Sequence, residues 1–418
     1  MNHTVLPEPR SPATPALVDR LLRHAVFGRI RGLARGGLTV LDHAGRHVFG
    51  DPDGEGPHAT VRVHDPRLYT LVALRGTVGV GEAYMAGYWS TDDLVAVVRL
   101  FVLNKAVLDG LERGLARVAL PALKAWHALR PNSRDGARAN VAAHYDLGND
   151  FYRLFLDETM MYSCAVFEHP QMTLAEASTA KNERICRKLA LTPADHVLEI
   201  GSGWGGFALH AAARHGCRVT TTTISREQYA LARERVHAAG LDDRVTVLCE
   251  DYRDLRGRFD KLVSIEMIEA VGHRYLDTYF RACSKLLAPD GLMLLQAITI
   301  RDQEYERARR SVDFIQRYIF PGGFLPSVRA IADTVARVTD LRALHLEDFG
   351  PHYATTLRHW RGRFDANIER VRALGFPDSF TRMWEFYLAY CEGGFAERYI
   401  GVVQLLLGKP DNRRELRL

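Results

Sequence analysis

The six cysteines, Cys164, Cys186, Cys217, Cys249, Cys283 and Cys391, include no CxxC pair. That argues against a disulfide frame and a zinc site, and for a reducing compartment. No uninterrupted apolar run reaches the roughly 18 residues that a bilayer span requires. The start, MNHTVLPEPRSPATPALVDR, has no apolar stretch behind a basic one, so no secretory signal is expected. Charge of one sign is also scarce. A net charge of +5 over 418 residues permits an anionic partner without demanding one, and no nucleic-acid partner is expected. His210 and His215 stand five apart on an expected helix, which is not the i, i+4 spacing of a zinc helix, and no metal is expected.

The length is more than one hydrophobic core usually serves, so two domains are expected. Residues 1–16 read as a proline-bearing disordered lead. Residues 17–130 read as a smaller α+β domain, in which LTVLDHAGRHVFGD is a β-hairpin turning at Asp42–Gly45 and HATVRVHD a further strand. From Asp92 the pattern is helical, with a break expected at Pro121. Arg99, Lys105, Arg113, Arg117 and Lys124 punctuate this stretch. They read either as a basic face on anionic lipid or as the outside of helices that cover their own domain.

Residues 131–143 have linker composition, and 144–418 then alternate short β-branched runs with helices. HVLEI, RVTTTTI, RVTVLCE, KLVSI and LMLLQAIT are strands, which predicts an α/β fold with a doubly wound parallel sheet. Residues from about 300 to 340 interrupt the rhythm and read as an insertion over the strand ends, where such folds bind ligands.

VLEIGSGWGG follows a strand and opens a helix. Its glycines satisfy GxGxxG, so a dinucleotide must be weighed. Two features favour S-adenosylmethionine (SAM). Glu199 precedes Gly201, Gly203 and Gly205 in the spacing E-x-G-x-G-x-G, and no acid ends the second strand to hold an NAD ribose. Thr223, Ser225 and Gln228 offer hydroxyl and amide groups there instead. Asp251, after the third strand, reads as an acceptor for an adenine amino group or as a helix N-cap.

Six ordered segments, HYDLGNDFYRLFLDETMMYSCAVF, VLEIGSGWGG, TISREQ, EMIEAVG, YIFPGGFLPS and FGPHYATTLRHW, together resemble the cyclopropane-fatty-acyl-phospholipid synthases. The resemblance covers about residues 138–408, and more loosely GEAYMAGYWSTDDL. It implies a Rossmann-like methyltransferase sheet and a SAM methyl group delivered to a cis double bond of a membrane phospholipid acyl chain. It also implies an N-terminal domain serving membrane association and homodimer formation. The expected setting is a bacterial cytoplasm, peripherally at an anionic inner leaflet. SAM contacts carried over are Tyr162, Ser163, Gly201, Gly203, Thr223, Gln228, Asp251 and Tyr252.

An alkene is a weak nucleophile, so the donor must be a sulfonium, held in line. The transfer leaves a cation, which the faces of Tyr162, Phe167, Tyr318 and Tyr353 are candidates to stabilise. A positioned base then takes a proton. By resemblance that base is a bound bicarbonate ion, held by Cys164, Glu269, the backbone of Ile298, and Tyr353. Gln296 stands where the family often has histidine, and Ala270 where histidine is also common. These departures look closest to a branch that includes tuberculostearic acid synthases, whose product is a methylene branch instead of a ring. Cys164 reads as a wall of the anion site, not as a nucleophile. Cys391 matches a family cysteine near the active site, against the bland reading of a small buried residue. Of the two glutamates in SIEMIEAVG, Glu269 is expected to orient the bicarbonate; the role of Glu266 stays open, a structural hydrogen bond being the favoured use.

Overall fold

The computed structural model describes residues 17–113, 132, 136–137, 147–413 and 415. The expected lead over 1–16, most of the linker, and the stretch holding Arg117, Pro121 and Lys124 lie outside them.

The chain forms two compact units. In the first, β1 (Gly37–Asp42) and β2 (Gly45–Gly50) make the expected hairpin, with Asp42 opposite Gly45. β3 (His58–Val63) runs parallel to β1, and β4 (Trp89–Thr91) completes a sheet in the order β2-β1-β3-β4. The helices α1 (Leu17–Ile30), α2 (Arg67–Met85), α3 (Leu94–Leu103) and α4 (Lys105–Arg113) accompany it. Asp93 caps α3 by accepting from the Ala96 amide at 2.9 Å. Val95, Val97, Val98 and Leu100 of α3 are buried. Arg99 is held by Glu397 at 2.6 Å and Lys105 by Asp109 at 3.1 Å. α3 and the start of α4 thus cover their own unit, and these two cations are already paired.

This first unit also takes in residues 310–321 and 360–399, so the boundary is not the single cut expected near 131–143. The reason is aromatic interlock. Phe314 lies 4.6 Å from Phe386, which lies 5.8 Å from Tyr84 of α2. Tyr318, expected near the reacting carbons, instead donates to Glu82 at 2.7 Å. The expected insertion is therefore divided between the units.

The second unit carries a seven-stranded sheet in the order β10-β11-β9-β8-β5-β6-β7. Its strands are β5 (His196–Ile200), β6 (Arg218–Thr222), β7 (Val245–Leu248), β8 (Phe259–Ile265), β9 (Leu287–Ile300), β10 (Arg342–Asp348) and β11 (Ile400–Gly408). β5 to β9 pair in parallel, as expected. β10 and β11, which the sequence reading missed, add antiparallel beyond β9. Strand alternation gives each face its own core. Val197 packs with Phe207 and Ile185 on one side, beneath α5 (Leu174–Leu189) and α6 (Gly206–His215). Leu198 and Ile200 pack on the other with Tyr279 and Phe280 of α8 (Leu276–Leu286), beside α9 (Val328–Val338); α7 (Arg226–Ala238) follows β6. The order reverses between β5 and β8, the switch point at which such sheets open a crevice.

In the first unit, a Cβ on Gly81 would come within 2.3 Å of Phe314 Cδ2. Gly81→Ala should therefore lower unfolding stability by about 1–3 kcal/mol, read by urea denaturation.

Candidate active site

The switch-point cleft of the second unit is lined by the ends of β5, β6 and β8 and by the segment Met160–Ser163. Its cavity volume of about 150 Å³ has room for on the order of ten waters, and so for an organic ligand. Gly201, Gly203 and Gly205 have φ of 98°, 49° and 84°, a region other residues adopt at a cost. The loop is tied down by the Gly201 and Ser202 amides, both donating to the Thr222 carbonyl. On the facing side, the Asp157 carboxylate accepts from the Thr159 amide at 2.8 Å and from Ser178 of α5 at 3.0 Å. That turn fixes the approach of Met160, Met161, Tyr162 and Ser163 to the cleft.

The expected cofactor residues gather here. Tyr162, Ser163, Glu199, Gly201, Gly203, Thr223, Gln228, Asp251 and Tyr252 all line the cleft, and Gly205 caps α6 beside it. Glu199 accepts from Thr221 at 2.6 Å, and burial pushes its carboxyl up to about 8. Gln228 uses its carbonyl to accept from Thr223 at 2.8 Å, which leaves its NH2 for a ligand. Asp251 is engaged by Arg253 in a two-point ion pair, at 2.8 and 2.6 Å. It accepts from the Arg253 amide inside a turn and caps no helix. A glycine-lined crevice with an acid, an amide and hydroxyls at the strand ends fits SAM.

Lys181 of α5 escaped the sequence reading because a single lysine in a helix carries no pattern. It is fully buried, donates to Ser163 Oγ at 3.2 Å, and is pushed down to about 8 by burial, against the pull of Glu266 and Glu199.

The second feature is the pair of glutamates after β8, which differ in their hydrogen-bond partners. Glu266 has φ of 50°, a strain of about 1–3 kcal/mol for a non-glycine residue, and it faces the cleft. Its Oε1 accepts from the Cys164 amide at 2.9 Å and from Gln296 Nε2 at 2.8 Å, and its Oε2 accepts from the Tyr353 hydroxyl at 2.6 Å. Burial raises its pKa, and these three donors and Lys181 oppose that. Glu269 accepts from the Ile298 amide, while its Oε2 is buried with no hydrogen-bond partner. Burial, then the neighbouring Glu266 charge, pushes Glu269 up to about 8.

The groups expected to hold bicarbonate are thus together, but they are turned on the protein's own carboxylates. Cys164, Gln296 and Tyr353 serve Glu266, and Ile298 serves Glu269. These donors do not fit a separate bicarbonate ion. The Cys164 thiol is fully buried, which raises its pKa strongly and opposes a nucleophilic role. Phe167 stacks on His359 at 5.3 Å. Cys391 belongs to the first unit, beside Asp313. His210 and His215 share Glu183 Oε2 at 3.1 Å each, with Cys186 close by, a convergence that sequence spacing did not suggest.

Among solved structures, the chain matches the cyclopropane synthase MmaA2 from Mycobacterium tuberculosis at 32% identity and TM-score 0.61, over 65% of this chain and 98% of that one. The mycolic acid cyclopropane synthase CmaA1, complexed with SAH and CTAB, matches at 34% identity and TM-score 0.61, with the same coverage. Sheet order, glycine loop and cleft together define a SAM-dependent methyltransferase. Residues 132–405 match the family described as mycolic acid cyclopropane synthetase, and the chain belongs to that family. It is 42% identical over 417 residues to the tuberculostearic acid methyltransferase UfaA1 of Mycobacterium tuberculosis (strain ATCC 25618 / H37Rv), covering 96% of this chain and 93% of that one. It is 38% identical over 360 residues to the cyclopropane-fatty-acyl-phospholipid synthase of Escherichia coli (strain K12), covering 85% and 89%.

The raised pKa of Glu269 has a signed consequence for stability. Between an ordinary carboxylate value of 4.5 and about 8, the folded protein holds a proton that the unfolded chain has lost, so stability falls as pH rises through that window. Glu269→Gln should flatten this part of the profile of melting temperature against pH. An unchanged slope would show that Glu269 does not titrate there.

Proposed function

We propose that this protein transfers the SAM methyl group to a cis double bond of an unsaturated phospholipid acyl chain, that Glu266 takes the proton, and that a cyclopropane ring closes. When bound, SAM supplies an electrophilic methyl on a sulfonium. The chain's own groups then have three tasks. The glycine loop, Thr223 and Gln228 orient the donor. Tyr162 and Tyr353 offer π-faces to the cation left on the acyl carbons, worth about 1–2 kcal/mol when desolvated. Glu266 accepts a proton from that acidic cation, for which position matters more than basicity. The observation that carries this reading is the Glu266 carboxylate in the cleft, with Tyr353, Gln296 and the Cys164 amide all donating to it.

A methylene-branched, tuberculostearate-type acyl chain is the second product reading. It is favoured by the 42% identity over 96% of the chain to a tuberculostearic acid methyltransferase. The two products share the cation and diverge in when and where its proton leaves. A phospholipid substrate also implies work at a lipid surface. No helix among the described residues is long and apolar enough to cross a membrane, and we assign peripheral contact with an anionic inner leaflet, as a homodimer, on the strength of the family resemblance.

Incubation with SAM and vesicles of a cis-monounsaturated phospholipid, followed by proton NMR of the fatty acids, decides the product. Strongly upfield ring protons identify cyclopropane, and vinylidene protons identify the branch. Glu266→Gln should lower kcat by about 10²–10⁴-fold with SAM affinity retained by calorimetry. Degassed, bicarbonate-free buffer should leave the unmodified enzyme's rate unchanged. A rate restored only by added bicarbonate, with Glu266→Gln still active, would return the base to the ion.

A further inference from the structure

A line of polar side chains crosses the otherwise apolar sheet of the second unit and ends at Glu266. Glu347 on β10 is the register partner of Gln404 on β11, which is the partner of Gln296 on β9. Gln296 sits opposite Ile265, the residue before Glu266, and its backbone carbonyl accepts from the Glu266 backbone amide at 2.8 Å. Gln296 and Gln404 are fully buried, an environment that penalises any amide left unpaired. Every group in the row is paired. Lys188 of α5 donates to Glu347 at 2.5 Å and to Gln404 Oε1 at 2.8 Å. Gln404 Nε2 donates to Gln296 Oε1 at 3.0 Å, and Gln296 Nε2 donates to Glu266 Oε1 at 2.8 Å and to the Cys164 carbonyl at 3.3 Å. Arg184 makes the other ion pair to Glu347.

The row has a direction, and its far end sets it. An ammonium only donates, so Gln404 must turn its carbonyl to Lys188. Its NH2 then faces Gln296, whose carbonyl must face back and whose NH2 must face Glu266. Gln404 could otherwise be reversed by a half-turn with no change in shape, whereas a reversed Gln296 would also turn its carbonyl on that of Cys164. A carboxylate accepting from an NH2 is held ionised; a carbonyl in that place would favour the protonated acid.

We propose that Lys188, acting through Gln404 and Gln296, is a positioning residue that fixes the direction of this chain and so holds Glu266 as a hydrogen-bond acceptor ready to take a proton. The proposal rests on Glu266 as the base. The other groups facing Glu266 are Tyr353 from α10 (Gly350–Ala366), Lys181 from α5, Cys164 from the preceding loop, and Glu269 on its own segment. None of them constrains the amides of Gln404.

The test compares Lys188→Met, Lys188→Arg and Gln404→Met. Lys188→Met and Gln404→Met both remove the donor-only anchor that fixes the direction of the row, and Gln404→Met does so without altering charge. Each should move the acid limb of the pH–kcat profile upward by about one pH unit, while SAM affinity, which reports the fold, stays within threefold of the unmodified value. The carboxylic-acid C=O infrared band assigned to Glu266, by subtraction of the Glu266→Gln spectrum, should persist to correspondingly higher pH. Lys188→Arg keeps a donor-only head and should keep the original limb. An acid limb and a band both unmoved in Lys188→Met and Gln404→Met overturn the proposal. A band that moves while the limb does not supports the directed chain and refutes Glu266 as the base, so the two readings fail separately.

Discussion

A carboxylate taken out of water must be surrounded by donors, and the second unit is organised around meeting that demand at Glu266. A buried anion without partners would cost several kcal/mol or simply protonate. Three donors and a buried lysine oppose that outcome, and they come from four places in the chain: Cys164, Lys181, Gln296 and Tyr353. The strained backbone at Glu266 fits the same picture, since a left-handed non-glycine residue persists only where its surroundings over-determine it. Glu269, three residues on, lacks that shell, and its free oxygen is buried without a partner.

The sheet supplies the frame for this. Parallel strands β5, β6 and β8 bring their carboxyl ends to one edge, where the glycine loop and Glu199 line the cleft. The antiparallel addition of β11 beyond β9 places Gln404 against Gln296. The active-site carboxylate is thereby linked through two amides to Lys188, which is paired with Glu347. A polar row buried in a sheet earns its place only if every member is satisfied, and here each is.

Local signals were legible where chemistry is local. The hairpin at Asp42–Gly45, strands β5 to β9, the glycine loop and the acid Glu199 are consequences of residue type at short spacing, and the structure has them where expected. β10 and β11 were not read, because a short mixed strand and an apolar run among helices carry little periodicity of their own. The division near residue 130 lies where expected, but residues 310–321 and 360–399 also join the first unit, through contacts of Tyr318 and Phe386 with residues hundreds of positions earlier.

The sequence by itself determined the fold class, the glycine loop and the family, since each is carried by short local motifs read in order along the chain. Its motifs also named Cys164, Gln296, Ile298 and Tyr353, and the structure brings all four to the two glutamates after β8. Only the tertiary structure decided where their donors point, at Glu266 and Glu269. Whether a donor meets a bound ion or a glutamate depends on the backbone angle at Glu266 and on side-chain directions across β8, β9 and α10, and neither is encoded in spacing. The same holds for Lys188 and Gln404, whose bearing on Glu266 exists only once three strands lie in register.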